Sequence, residues 1–203
     1  MKLNLQQLIL TFKPRLTLNK LMYKKLLILL FVFFTVNANA DDVTAKEFAD
    51  RIKKCTESIY SNIEEFPPHK QVPVELIIAQ GAHESAWGNS RFAKEGNNLF
   101  GVRTYDPQIP QIKAKGAPNA KWGLRKYDNW CHSVRDYLDI LNNHPRYENF
   151  REELKFQTET GTVTPIQLIL HLGAWSEQGD KYIRLLQDIM LGLYQKDFFK
   201  NIG

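Results

Sequence analysis

The chain has 203 residues, with 27 Lys and Arg against 22 Asp and Glu for a net charge of +5, and 43% of its residues are hydrophobic. The excess of positive charge is confined to one end: residues 1–40 hold Lys2, Lys13, Arg15, Lys20, Lys24 and Lys25 and no acid, leaving residues 41–203 with 21 basic and 22 acidic residues. A near-neutral remainder gives no ground for a nucleic-acid partner, which needs a basic patch on the folded domain, and its length suits one domain with one core.

The N-terminal segment reads as a secretory signal. Met22-Tyr23-Lys24-Lys25 is basic, Leu26 to Val36 is a run apolar at every position but Thr35, and Ala38-Asn39-Ala40 is a small-residue cleavage site. The run has 11 residues, short of the roughly 20 that span a bilayer as a permanent helix. The expectation is therefore a start at Met22, a cut after Ala40, transient membrane contact through the signal, and a single exported domain over 41–203, periplasmic or extracellular. Cys55 and Cys131 both fall in the exported part and allow one intramolecular pairing. A disulfide and two buried thiols both fit. Without a C-x-x-C, neither a zinc ribbon nor a redox motif is supported.

From Thr44 to Ile63, apolar residues at 48, 52, 55, 59 and 63 recur at helical spacing, and Thr44 is placed to cap that helix. Pro67-Pro68 breaks the chain, and Val74 to Ser85 is apolar on most sides, as expected of a central core helix. Between Asn97 and Asp128 the helical period fails, and Gly, Pro, Asn and Asp alternate with aromatics and Ile, which predicts loops and a short hairpin. Helical spacing returns at Val134, Tyr137, Leu138 and Leu141 and stops at Pro145. Thr164-Pro165 opens a helix to about Leu172, and a last helix runs from Gly179 to about Tyr194 with Tyr182, Leu185, Leu186, Ile189 and Leu193 on one face.

Glu84, at the end of the central helix, is the residue with chemistry. A carboxylic acid that donates a proton near neutral pH needs its pKa raised, and apolar neighbours and the negative end of the helix dipole both act in that direction. An exposed helix-end glutamate is the bland alternative. His83-Glu84 matches the start of H-E-x-x-H, but position 87 is Trp, so no second metal ligand follows and no metal is expected. Cys131-His132 could pair a thiol with a base, yet adjacent residues on a helix point apart. No phosphate-cradling glycine loop is present, and no cofactor is expected.

The residues Ala79-Gln80, Glu84-Ser85, Trp87-Gly88, Ser90 and Asn97-Asn98-Leu99-Phe100-Gly101 resemble the endo-β-N-acetylglucosaminidases of glycoside hydrolase family 73, bacterial enzymes that cut peptidoglycan glycan strands. Arg125 to Asp128, Ser133-Val134, Asp136-Tyr137, Leu141-Asn142, His144, Tyr147 and Ser176 to Tyr182 look most like the Bax-type branch. The resemblance implies a mainly α, lysozyme-like helical domain with a short β-hairpin lobe across a cleft, and peptidoglycan strands as partner. It implies Glu84 as general acid and Tyr182 beside the reacting sugar. Trp87, Asn98, Phe100, Tyr105 and Tyr127 would line or support the substrate site, although Trp87, Phe100 and Tyr182 fit a core equally well.

The second carboxylate is the weak point. Glycosidases usually pair two, about 5–5.5 Å apart for retention and about 6.5–9.5 Å for inversion. From Val102 to Tyr127 the chain has no glutamate, which leaves Asp106 and Asp128 as candidates, or the substrate's own 2-acetamido group as nucleophile with Tyr182 stabilising charge. Two other readings stay open: a glycan-binding or scaffold protein without catalysis, and a muramidase or lytic transglycosylase using the same acid.

Overall fold

The structure, a computed structural model, describes residues 42–202, so the expected leader with its start at Met22 and its cut after Ala40 lies outside the described residues. Helix α1 (Ala45–Tyr60) begins at a capping box. The Glu47 amide donates to Thr44 Oγ1 at 3.2 Å and the Thr44 amide to Glu47 Oε2 at 2.9 Å, which satisfies two donors that a bare helix end leaves open. Phe48, Ile52 and Cys55 are buried as their spacing predicts, but the helix ends three residues short of Ile63. The chain turns there so that Phe66 enters the core, and Ile63 is left 55% exposed.

Helix α2 (Val74–Ser85) is the central helix, buried from Leu76 to Ala82. Gly81 lets it sit between two rings, for a Cβ there would lie 3.2 Å from both Phe48 and Phe100. Three consecutive residues with positive φ, Ala86 (51°), Trp87 (57°) and Gly88 (80°), end α2 and reverse the chain. Ser85 Oγ pins the reversal, accepting from the Gly88 amide at 2.8 Å and donating to the Gly81 carbonyl at 2.6 Å. A Cβ on Gly88 would come within 2.5 Å of the Trp130 ring, so only glycine fits. Helix α3 (Arg91–Gly96), capped by Ser90, follows; its six residues are too few to show a period.

The expected hairpin is a three-stranded antiparallel sheet, β1 (Arg103–Thr104), β2 (Gln111–Ile112) and β3 (Gly123–Arg125), in the order β1-β3-β2 with Arg103 and Ile112 both opposite Leu124. Asn98, 2% exposed, ties this lobe to the helices: its Nδ2 donates to the Val102 and Arg125 carbonyls at 2.9 Å each and its Oδ1 accepts from the Val102 amide.

Helix α4 (Trp130–Asn143) buries Val134, Tyr137, Leu138 and Leu141. Helix α5 (Glu148–Glu159), which the periodicity reading left unassigned, buries only Phe150, Leu154 and Gln157. The helix expected from Pro165 to Leu172 is broken into α6 (Pro165–Leu168) and 3₁₀ turns over Ile169–His171 and Gly173–Trp175. Leu168, Ile169 and Leu172 are all fully buried, and tightening to three residues per turn brings Ile169 and Leu172 onto one side. Helix α7 (Asp180–Gln195) buries Tyr182, Leu186, Met190 and Leu193. That stripe corrects the expected one, because Leu185 is 38% exposed and Met190 takes its place in the core.

Helix α1 packs on both α2 and α4, and α7 packs on α2. Cys55 of α1 and Cys131 of α4 form a disulfide with Cα atoms 4.9 Å apart, which resolves the alternatives left by the sequence and removes Cys131 as a nucleophile. No helix among the described residues is long and apolar enough to cross a membrane.

Candidate active site

A cleft of about 980 Å³ separates the sheet lobe from the helices, and Glu84 opens into it. Gly101, Arg103, Tyr105 and Trp122 supply the lobe's wall, while the C-terminal end of α4 and the 3₁₀ turn at Gly173–Trp175 supply the facing one. Its volume falls at the upper end of the usual range for ligand sites.

Glu84 is positioned from two sides. The helix that carries it is fixed in the core by its apolar faces, and the Tyr182 hydroxyl of α7 donates to Glu84 Oε1 at 2.7 Å. Its other oxygen faces Gly101, where an added Cβ would lie 3.7 Å from Oε2. With φ of +70°, Gly101 permits the backbone turn beside that oxygen, and both residues line the cleft. Burial is the main influence on the acid and pushes its pKa up; the Tyr182 hydrogen bond and nearby His83 act the other way.

Behind Tyr182 stands Gln80, fully buried, whose Oε1 accepts from the Tyr137 hydroxyl at 2.7 Å. Its Nε2 has no hydrogen-bond partner and faces the Tyr182 oxygen. Burial and the adjacent Glu84 push the Tyr182 pKa far above the phenol range, and Gln80 offsets part of the rise. Tyr182 is therefore a neutral donor to Glu84 rather than a base.

The structure brings Glu84 and Tyr182 together and sets Tyr105, 68% exposed, at the rim of the same cleft. Phe100 borders the cleft but its ring is 1% exposed and stacks on Tyr137 at 4.1 Å, making it part of the floor's support rather than an open platform. Trp87 does not line the cleft. Its positive φ turns it to pack on Phe48 and Phe198, with centroids 5.8 and 5.6 Å away. Asn98 and Tyr127 do not line it either. Asn98 holds the sheet as described, and the Tyr127 hydroxyl donates to Asp136 Oδ2 at 2.6 Å beside the Arg125–Asp136 ion pair.

Asp106 and Asp128 are also displaced from the cleft: Asp106 Oδ1 accepts from the Gln108 amide, and Asp128 faces His132 at 3.4 Å. The second carboxylate that does border the cleft is Glu177, which stands 95% exposed at the rim, 3.9 Å from Arg103, whose guanidinium lies over Trp122 at 4.3 Å. Glu177, Tyr147 and His144 sit within the segments that carried the resemblance and Trp175 lies just before one of them, yet only a three-dimensional fold brings them to one cleft. Among the described residues no group of three His, Cys, Asp or Glu side chains could hold a metal ion.

A helical domain facing a small sheet across a cleft, with a half-buried carboxylic acid at its floor, defines the architecture of a glycoside hydrolase. Residues 61–194 match the glucosaminidase family, described as mannosyl-glycoprotein endo-β-N-acetylglucosaminidase, and the chain belongs to that family, glycoside hydrolase family 73. It is 28% identical over 125 residues to Protein bax of Escherichia coli K12, covering 61% of this chain and 42% of that protein. To the peptidoglycan hydrolase FlgJ of the same strain it is 32% identical over 88 residues, covering 37% of this chain and 28% of FlgJ. The match thus spans less than half the length of either relative. Among solved structures, the glycoside hydrolase domain of Salmonella typhimurium FlgJ superposes with a TM-score of 0.50 at 24% identity, over 75% of this chain and 99% of that one. The catalytic domain of the autolysin Auto from Listeria monocytogenes gives 0.51 at 18%, over 89% and 96%. These two likenesses concern the fold.

Proposed function

We propose that the protein is an exported endo-β-N-acetylglucosaminidase that hydrolyses the β-1,4 bond following N-acetylglucosamine in peptidoglycan, with Glu84 as general acid. The observation that carries this reading is the Glu84–Tyr182 pair, a carboxyl with its pKa raised by burial, oriented by a phenol and lining the cleft. Export is supported by the signal-like leader and by the Cys55–Cys131 disulfide, which belongs in an oxidising compartment.

In this mechanism Glu84 gives its proton to the glycosidic oxygen as the bond to C1 breaks, and the carbonyl oxygen of the substrate's 2-acetamido group attacks C1 from the opposite face. Water then opens the cyclic intermediate, returning a proton to Glu84, and the anomeric configuration is retained. The absence of a sheet-lobe carboxylate from the cleft supports substrate assistance over a protein nucleophile. Tyr182 steadies the Glu84 carboxylate formed in the first step.

Digestion of purified peptidoglycan followed by mass spectrometry tests the reading: fragments end in a reducing N-acetylglucosamine. A reducing muramic acid or a 1,6-anhydro sugar overturns it in favour of a muramidase or a transglycosylase, and an inverted first anomer excludes the acetamido mechanism. Tyr182→Phe provides a second check. Removing the hydroxyl removes an influence that lowers the Glu84 pKa, so the alkaline limb of activity, where the acid loses its proton, moves to higher pH. The check is the direction of that shift, and an unmoved limb would separate Tyr182 from the acid's chemistry.

A further inference from the structure

The floor of the cleft is carried by a chain of rings that begins beside Glu84. Phe100, which precedes Gly101, stacks on Tyr137 with centroids 4.1 Å apart, Tyr137 meets Trp175 at 5.2 Å, Trp175 meets Tyr147 at 5.9 Å, and Tyr147 meets His144 at 6.0 Å. At the far end the exposed cleft residues are no longer aromatic but basic, His144 and Arg146.

This corner is built rather than loose. Pro145 opens a 3₁₀ turn over Pro145–Tyr147, the Arg146 amide donates to His144 Nδ1 at 3.2 Å, and Arg151 Nη1 donates to the Leu141 and His144 carbonyls at 3.1 and 2.9 Å. The buried Tyr147 ring fixes it from below. Because Nδ1 accepts, a neutral His144 ring carries its proton on Nε2 and keeps a donor to spare. The Arg146 guanidinium has no ion-pair or hydrogen-bond partner among the described residues. Arg103, the other cleft arginine, is already engaged by Glu177 and Trp122.

In an intact strand the sugars offer this corner only neutral hydroxyls and acetamides, because the lactyl carboxyl of each muramic acid is tied up in its amide bond to the peptide. Peptidoglycan, however, carries a peptide on alternate sugars, and the free carboxylates of that peptide are the fixed anions of the polymer. A guanidinium with a neighbouring N–H donor matches a carboxylate in charge and geometry. We propose that the His144–Arg146 corner is a binding subsite for a free carboxylate of the strand's peptide, so that the enzyme selects strands whose peptide carboxylates are free over strands in which they are amidated. The inference rests on the peptidoglycan reading above.

Two measurements on the full protein test it. In the first, kcat/KM is compared on peptide-bearing strands and on the same strands with their peptide carboxylates amidated. The wild type prefers the former, and His144→Ala/Arg146→Ala lowers the preference ratio about tenfold, through KM; Arg146→Lys restores part of it, and raising the salt weakens it. An unchanged ratio overturns the subsite. The second needs no turnover: calorimetric titration with a peptide-bearing disaccharide and with its carboxylate-amidated derivative. The wild type binds the free acid more tightly and the double variant does not distinguish them. Equal wild-type affinity for the two overturns the proposal, whereas selective binding without cleavage of any strand leaves the subsite standing and removes the glucosaminidase reading.

Discussion

Replacing Glu84 by Gln lowers the rate of peptidoglycan digestion by about 10²–10⁴-fold, the range that a positioned general acid contributes. The amide retains the shape of the side chain and an oxygen that accepts from Tyr182, so the hydrogen bond seen at 2.7 Å survives while the transferable proton is lost. Near-normal digestion by this variant would remove Glu84 from the mechanism. Stability moves in the opposite direction. Burial raises the folded-state pKa of Glu84 above its ordinary value of 4.5, so above that pH the folded chain holds a proton that the unfolded chain has released. Folding is then progressively less favourable as pH climbs through the window between the two values, and a group with no charge to bury does not suffer this loss. Glu84→Gln is expected to unfold at or above the wild-type denaturant midpoint at pH 7, with the difference vanishing below pH 4 where both forms are neutral. A midpoint lower at both pH values would mean that the carboxyl stabilises the fold by more than the burial of its charge costs.

The same trade explains which parts of the site were legible in the sequence. A carboxylate that ends a core helix is locally inconsistent and draws attention to Glu84, but a helix-end glutamate in solvent fits the same pattern, and it is the family resemblance that selects Glu84. The pairing with Tyr182 was not legible, since resemblance places Tyr182 only near the reacting sugar: 98 positions separate the two residues, and Tyr182 also satisfies the buried stripe of α7. Trp87 misled because composition cannot reveal backbone sign. Two consecutive left-handed residues swing its ring toward Phe48 instead of the cleft. Helix α5 escaped notice since it buries three side chains on an otherwise polar segment and leaves Phe156 61% exposed, which blurs its period. The break after Leu168 was hidden for the reverse reason, since a 3₁₀ turn and an α-helix share apolar residues at i and i+3. Asn98 illustrates a third limit, for its three hydrogen bonds to Val102 and Arg125 link segments that ordinary spacing does not bring together.

Removing the disulfide by Cys55→Ala/Cys131→Ala is the second large effect, and it falls on stability. The bridge closes 76 residues between α1 and α4. In the chain-entropy account a loop of that length costs the unfolded state about 4 kcal/mol of freedom, a large fraction of the roughly 5–15 kcal/mol that separates folded from unfolded domains. For a domain of this size each kcal/mol moves the melting temperature by about 2–4 °C, so a fall of roughly 10 °C is expected. Neither cysteine borders the cleft, and the helices it joins remain in contact through Phe48 and Trp130, whose centroids lie 5.5 Å apart. Below the lowered transition the double variant should therefore keep near-wild-type kcat/KM, with loss of activity tracking unfolding as temperature rises. Reduction provides the control. Cys55 is buried but Cys131 is only partly so, and reduced wild type should melt with the double variant. Coincident melting of untreated wild type and the double variant would show that α1 and α4 hold together without the bridge.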